Sequence, residues 1–184
     1  YMGIDVSSYQ GVIDWRAVKA SGVEFAIIRA LTWSNSVNDY VIDPYFEANV
    51  RNAKANGIKV GAYLFSYAFN LDEMRKEVDF FHNSAQMQAL RRDNIKFDYP
   101  VYIDFEWNRI LEHTDYNTRT EIVRFGMILL EKYGYPMGFY SSQNWAQHYY
   151  DAAALVRMGY DFWVARYPKD PPDLAAGTLP FLGY

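Results

Sequence analysis

Residues 100 to 108, "PVYIDFEWN", run an apolar strand, Val101-Tyr102-Ile103, directly into two carboxylates two positions apart, Asp104 and Glu106. In a strand, residues i and i+2 face the same side, with α-carbons about 6.5 Å apart at a rise of about 3.3 Å per residue. Asp104 and Glu106 therefore point together. Two carboxyl groups confined in a partly dry place do not both ionise freely, so one of them keeps a proton near neutral pH. The pair then amounts to a general acid beside an anion. The blander alternative is that one of the two caps the next helix or pairs with a cation such as Arg109.

Other polar residues fall at comparable places. Asp5 follows Gly3-Ile4, Arg29 follows Ala26-Ile27-Ile28, Tyr67 follows Leu64-Phe65, and Ser141-Ser142 follow Phe139-Tyr140. Each of these apolar runs has the length and residue types of a buried strand: Met2 to Val6, Phe25 to Leu31, Lys59 to Phe65, Val101 to Phe105, Met137 to Ser141 and Phe162 to Arg166. Helical segments between them are punctuated. Asp43-Pro44 reads as an N-cap with proline at the first helical position, and Gly57 ends that helix. Asn70 with Glu73, and Thr118 with Glu121, have capping-box spacing. Leu71, Met74, Val78 and Phe81 recur as one buried helix face, as do Ile122, Phe125, Leu129 and Tyr133 before Gly134. Alternating strands and helices predict a parallel sheet, either a closed barrel or an open doubly wound sheet. Polar groups at many strand C-termini favour the barrel, since an open sheet binds at one crevice. Asp5 has its own alternative, which is to organise the turn at Ser7-Ser8.

Composition narrows the function. The 184 residues make one domain by length, of ordinary globular composition. A net charge of -4 with scattered Lys and Arg excludes a nucleic-acid surface. No apolar run is long enough to span a bilayer, and Tyr1 to Asp5 lack the basic flank and apolar stretch of a signal peptide. With no cysteine there is neither disulfide nor thiolate metal site, and His82, His113 and His148 lack metal-ligand spacing, so no metal and no cofactor is expected. The histidines read as surface or helix-end residues, and Arg91-Arg92-Asp93 as a solvated turn. "DVSSYQG" after the first strand carries no phosphate loop, and Ser141-Ser142 lack a nucleophile elbow. The aromatic content of 18%, with 17 Tyr, exceeds what a core needs and suits flat apolar faces such as sugar rings. Tyr9, Trp15 and Trp145 are more readily core than ligand contacts.

Five spaced motifs, "GIDVSSYQGVIDW" (3 to 15), "VGAYLFSYA" (60 to 68), "VYIDFEW" (101 to 107), "MGFYSSQNW" (137 to 145) and "FWVARY" (162 to 167), together resemble glycoside hydrolase family 25, the Chalaropsis-type lysozymes or N-acetylmuramidases. The resemblance covers essentially the whole chain in order. It implies a modified TIM-type (β/α) barrel and cleavage of the β-1,4 bond between N-acetylmuramic acid and N-acetylglucosamine in peptidoglycan, by a secreted or cell-wall-associated monomer. By position, Glu106 matches the family's general acid, Asp104 the second acid of its Asp-x-Glu motif, and Asp5 the first-strand acid at the floor of the sugar site. Tyr63, Tyr140 and Trp163 fall where the family has aromatic residues near substrate. Arg29 and Tyr67 join them as substrate contacts from their places at strand ends. One departure is that the family's frequent Tyr-His-Phe reads Tyr63-Leu64-Phe65 here.

The chemistry fits that assignment. Glycoside cleavage needs a protonated acid at the leaving oxygen and a negative group to meet oxocarbenium-like charge. The resemblance suggests a substrate-assisted route in which the 2-acetamido group attacks and Asp104 orients it. Attack by an enzyme carboxylate, or by water activated by Asp5, stays open. The rival classes are a non-catalytic carbohydrate-binding barrel, a nucleotide-dependent α/β protein without its phosphate loop, and a chitinase-like hydrolase, whose longer motif wants an acid where Tyr102 stands. Family members continue beyond Trp163 to Tyr167 into a final strand with a Trp-Gln-Tyr core and a late acidic segment. The sequence stops at "LPFLGY", 179 to 184, so a barrel with its C-terminal closing strand truncated is expected.

Overall fold

A computed structural model describes residues 1–165. Its strands are β1 (Gly3–Val6), β2 (Phe25–Ser34), β3 (Asp39–Ile42), β4 (Lys59–Phe65), β5 (Val101–Asp104), β6 (Met137–Ser142) and β7 (Asp161–Ala165). All but β3 lie on the apolar runs expected to carry them. The expected strand end at Arg166, Tyr167, and the segment 179 to 184 lie outside the described residues.

Among the described strands the pairing path is β1-β2-β4-β5-β6-β7, each neighbouring pair parallel and in chain order. A doubly wound sheet reverses its order at a crevice; this one never does. It also curls. In a flat sheet β1 and β7 would lie ~24 Å apart at ~4.8 Å per spacing, yet Gly3 and Asp5 of β1 line one cavity of about 310 Å³ together with Phe162 and Trp163 of β7. The result is a half-barrel sheet with helices packed against its outer face; two short ones, α1 (Trp15–Ala20) and α5 (Ile110–His113), each bury one residue, Trp15 and Ile110.

Strand alternation sorts the side chains between the two faces. Val60, Ala62 and Leu64 of β4, Val101 and Ile103 of β5, and Phe139 of β6 are buried in the apolar layer under the helices. Their neighbours Tyr63, Tyr102 and Tyr140 turn inward and join Ile27 and Trp163 in a smaller cluster. Inward positions therefore line the concave face and outward ones form the main core.

Helix α2 (Phe46–Ala55) begins two residues past Pro44, and Asp43 is not its cap: the Asp43 carboxylate accepts the Tyr45 N–H at 3.0 Å but otherwise faces the sheet. Helix α3 (Leu71–Asn83) is capped by Asn70, whose side chain accepts the Glu73 N–H at 2.9 Å. Met74, Val78 and Phe81 form its buried stripe, while Leu71, in the exposed first turn, does not. Glu77 takes a place in that stripe instead, and it is fully buried. Arg91 and Arg92 end helix α4 (Ala85–Arg92) rather than forming a free turn, and Asp93 accepts from Arg51 at 2.7 Å. Helix α6 (Tyr116–Lys132) starts earlier than Thr118 suggests, because Asp115 three residues before it caps the Thr118 N–H at 2.7 Å. Glu121 pairs with Arg124 on the surface.

The antiparallel hairpin of β2 and β3, pairing Leu31 through Ser34 with Ile42 through Asp39, was not evident from the apolar runs. Asn38, with φ of 53°, adopts the left-handed turn conformation that asparagine tolerates. Among the described residues no helix is long and apolar enough to cross a membrane.

The curl requires close approach at Gly61, where an added Cβ would sit 2.8 Å from the Pro100 carbonyl oxygen and 2.8 Å from Ile27. Gly61→Ala is expected to lower stability by about 1–3 kcal/mol, read as a lower urea midpoint. An unchanged midpoint would contradict this tight contact between β4 and the Pro100 turn.

Candidate active site

Asp104 closes β5 on the inner face, and its side chain is walled by the curl of the sheet. It is 5% exposed, and its Oδ1 atom has no hydrogen-bond partner among the described residues. Burial raises its pKa well above the usual carboxylate range; the nearby Glu106 and Asp5 charges add to the rise and Arg29 opposes it. Glu106 follows where the ladder ends, half-buried, and accepts the Ser142 N–H at 2.9 Å. Neither acid caps a helix or meets Arg109, whose guanidinium lies 5.4 Å from the Trp107 ring centre. Ser141 is buried, its Oγ paired with the Tyr150 hydroxyl at 2.7 Å.

A third acid forms the floor. Asp43, only 1% exposed, accepts from Arg29 Nε at 2.9 Å, forms an ion pair with Nη2 at 2.8 Å, and accepts the Ser8 N–H at 2.8 Å. Arg29 Nη2 also donates to Ser8 Oγ at 2.8 Å. The turn after β1 is thus organised by Asp43 and by Gln10, whose Oε1 accepts the Ser7 N–H at 2.7 Å. Asp5 takes no part in it and stays exposed on the inner face, within electrostatic reach of Asp104. Nothing in the local sequence separates Asp43 from a helix cap, since its partner Arg29 comes from another element.

The aromatic residues divide into two groups. Trp163 is the hub of the inner one, with ring centres 4.4 Å from Tyr140, 5.5 Å from Tyr102 and 6.3 Å from Tyr63. Burial raises the Tyr102 hydroxyl to about 12. Tyr67 belongs to the other group. With Trp33, Tyr40, Phe69, Glu73, Trp107 and Arg109 it lines a cleft of about 550 Å³. Trp107 joins the groups, being next in the chain to Glu106 and packed on Tyr67 at 4.9 Å and Phe69 at 5.5 Å. The structure therefore gathers Asp5, Arg29, Tyr63, Asp104 and Glu106 at one place, sets Tyr140 and Trp163 beside them, and puts Tyr67 in the adjoining cleft. Trp33, Tyr40 and Trp107 escaped sequence reasoning because the hairpin that brings the first two there was not foreseen. Trp15 and Trp145 are buried, whereas Tyr9 is exposed under Arg29 at 5.2 Å.

The family model of glycosyl hydrolases family 25 matches residues 4–180. The chain belongs to that family. Lysozyme M1 of Streptomyces globisporus is 37% identical over 106 residues, covering 58% of this chain and 33% of the relative. An autolytic lysozyme of Clostridium acetobutylicum is 27% identical over 184 residues, covering 97% of this chain and 49% of the relative. The chain thus spans about half or less of the length of these relatives. Among solved structures, a family 25 glycosyl hydrolase from Bacillus anthracis superposes with a TM-score of 0.66 at 28% identity, over 88% of this chain and 68% of that one. A lysozyme from Streptomyces coelicolor gives 0.70 at 25% identity, over 92% and 76%.

The raised Asp104 makes a stability prediction for this family 25 chain. An acid with a raised folded pKa stays protonated while the unfolded chain ionises above pH ~3.9, so it removes stability as pH rises. Asp104→Asn has no such slope. The melting temperature of the variant minus that of wild type should therefore increase between pH 4 and 7, and a flat or falling difference would refute the assignment.

Proposed function

We propose that this chain is a lysozyme-type muramidase, a glycoside hydrolase that cleaves the β-1,4 bond between N-acetylmuramic acid and N-acetylglucosamine in bacterial peptidoglycan. One observation carries the reading. Asp104 and Glu106 share the inner face at the end of β5, the first buried with an unpartnered oxygen and the second at the rim, held by a backbone N–H. The lysozyme names of the relatives in the same family support the choice of substrate.

In this mechanism Glu106 donates a proton to the leaving glycosidic oxygen while the substrate's 2-acetamido oxygen attacks the anomeric carbon. Asp104 receives the acetamide N–H through its free oxygen and stabilises the cyclised intermediate. Water, deprotonated by Glu106, then opens it. The Glu106 and Asp5 charges raise the proton affinity of Asp104. A substrate N–H donated to its free oxygen favours the ionised form of Asp104, which meets the developing charge while Glu106 serves as the acid on the leaving-group side. Tyr63, Tyr140 and Trp163 bound the sugar ring at the scissile bond, with Asp5 and Arg29 at its floor. Tyr67 and the aromatic cleft take rings further along the strand. Residues 1 to 184 act as one catalytic domain of (β/α)-barrel type, as a monomer, outside the cell or at the wall.

Glu106→Gln keeps the shape of the side chain and loses the proton. It should slow release of soluble fragments from purified cell walls by at least ~10²-fold while binding glycan as wild type does, with chitin as a parallel substrate. Wall clearing near the wild-type rate would remove Glu106 from the mechanism, and preference for chitin would replace the muramidase reading with a chitinase-like one.

A further inference from the structure

Glu77 occupies a position in the apolar stripe of α3 and has no exposed surface. No ion pair reaches it among the described residues. Both of its oxygens hold one loop. Ser66 Oγ donates to Oε2 at 2.7 Å, the Tyr67 N–H donates to Oε1 at 2.7 Å, and the Tyr40 hydroxyl of β3 faces the carboxyl group. One turn earlier on the helix, Glu73 Oε2 accepts the Phe69 N–H at 2.7 Å. The Ala68 N–H donates to Ser66 Oγ at 3.3 Å, and the Ser66 N–H to the Asp104 carbonyl at 2.9 Å. Every backbone N–H from residue 66 to 69 thus has a fixed acceptor, two of them acids of α3 and one the backbone of Asp104 itself.

That loop carries Tyr67 and Phe69, which hold Trp107 between them. Tyr67 is fixed further by a 3.1 Å hydrogen bond between its hydroxyl and Thr32 Oγ1. We propose that Glu77 is a positioning residue: through Ser66 and Tyr67 it fixes Trp107 and the aromatic cleft beside Glu106 in the geometry that binds glycan. The proposal rests on reading this site as a glycan cleft.

Glu77 does this as a neutral acid: Oε1 keeps the Tyr67 N–H, and Oε2–H donates to the Ser66 hydroxyl, the same contact with donor and acceptor exchanged. Burial without a cation raises its pKa to about 8 even though Ser66 and Tyr67 donate to its ionised form, and the Glu73 charge adds to the rise. The groups facing it are Glu73 on its own helix, Tyr40 of β3 with Asp39 behind it, and Ser66 and Tyr67 of the loop. Above that pH Glu77 becomes a buried anion with no counter-charge, and the loop relieves it by opening to water. Binding weakens, while the Ser142 N–H that holds Glu106 is untouched.

The test compares wild type, Glu77→Gln and Glu77→Asp on soluble peptidoglycan oligosaccharides from about pH 6 to about 9.5. Wild-type KM should rise about fivefold across this range, equivalent to one hydrogen bond of about 1 kcal/mol, while Glu77→Gln stays flat and equals wild type at the acid end. Glu77→Asp draws the carboxyl back from the Tyr67 N–H and should raise KM about fivefold at the acid end with kcat within about threefold. A purely structural role would lower melting temperature without this split. The same alkaline rise in Glu77→Gln, or wild-type KM in a folded Glu77→Asp, would overturn the proposal. If Glu77→Asp does not fold, the Glu77→Gln profile decides. Should wild type cleave no glycan, the proposed function fails separately. Tryptophan fluorescence over the same range then tests Glu77, with a shift in wild type that Glu77→Gln lacks supporting it and identical titrations refuting it.

Discussion

The structure turns on a carboxyl group that the fold forces out of water. Asp104 ends a strand whose preceding residues are all buried, and both neighbouring strands pin its backbone surroundings: Ser66 donates to its carbonyl at 2.9 Å and Phe105 donates to the Tyr140 carbonyl at 3.0 Å. With its main chain fixed from both sides, the side chain stays 5% exposed on the inner face. Two other acids nearby and a single arginine, itself engaged by Asp43, leave its negative charge poorly compensated. A buried acid of this kind has a raised proton affinity and an open acceptor. Such a group is suited to receiving a proton or hydrogen bond from a bound molecule.

The rest of the inner face follows from that constraint. Arg29 supplies positive charge close to the acids, but Asp43 binds it with close to full burial, so it moderates Asp104 without neutralising it. Breaking a buried pair of this type by removing one partner costs roughly 3–5 kcal/mol, which gives the floor a structural reason to stay intact. Glu106 differs from Asp104 by two residues and by its environment: past the end of the ladder it is half-exposed and receives one backbone N–H. Environment, not residue type, distinguishes the two acids. The hairpin and the loop after β4 extend this face into an aromatic cleft through Trp107.

Much of this was legible because strand alternation is strict. Once Val101-Tyr102-Ile103 is read as a strand, Asp104 falls on the face of Tyr102, and alternation within each of the other strands sorts Asp5, Arg29, Tyr63, Tyr140 and Trp163 onto one face, while Glu106 continues the alternation just past the end of β5. Chain-order pairing of the strands could not be read from periodicity, which is identical in barrels and open sheets. Local cap patterns misled where a competing partner existed: Asp43 resembles a cap until Arg29 is brought beside it, and Thr118 resembles one until Asp115 takes the position. Glu77 was invisible for a related reason. A charged residue in a helical stripe reads as solvent-facing unless the loop that uses it is known. The hairpin was missed because its second arm holds only three apolar residues, Tyr40-Val41-Ile42, and runs directly into the cap-like Asp43-Pro44.

The acidic strand end is expected to cleave glycan on the muramic acid side. The most direct measurement is mass spectrometry of fragments released from purified peptidoglycan by the chain, after borohydride reduction of the new ends. The reduced terminal sugar should be N-acetylmuramitol, and its appearance should depend on Glu106. Release of fragments ending in N-acetylglucosaminitol, or muramitol ends formed equally well by Glu106→Gln, would contradict it.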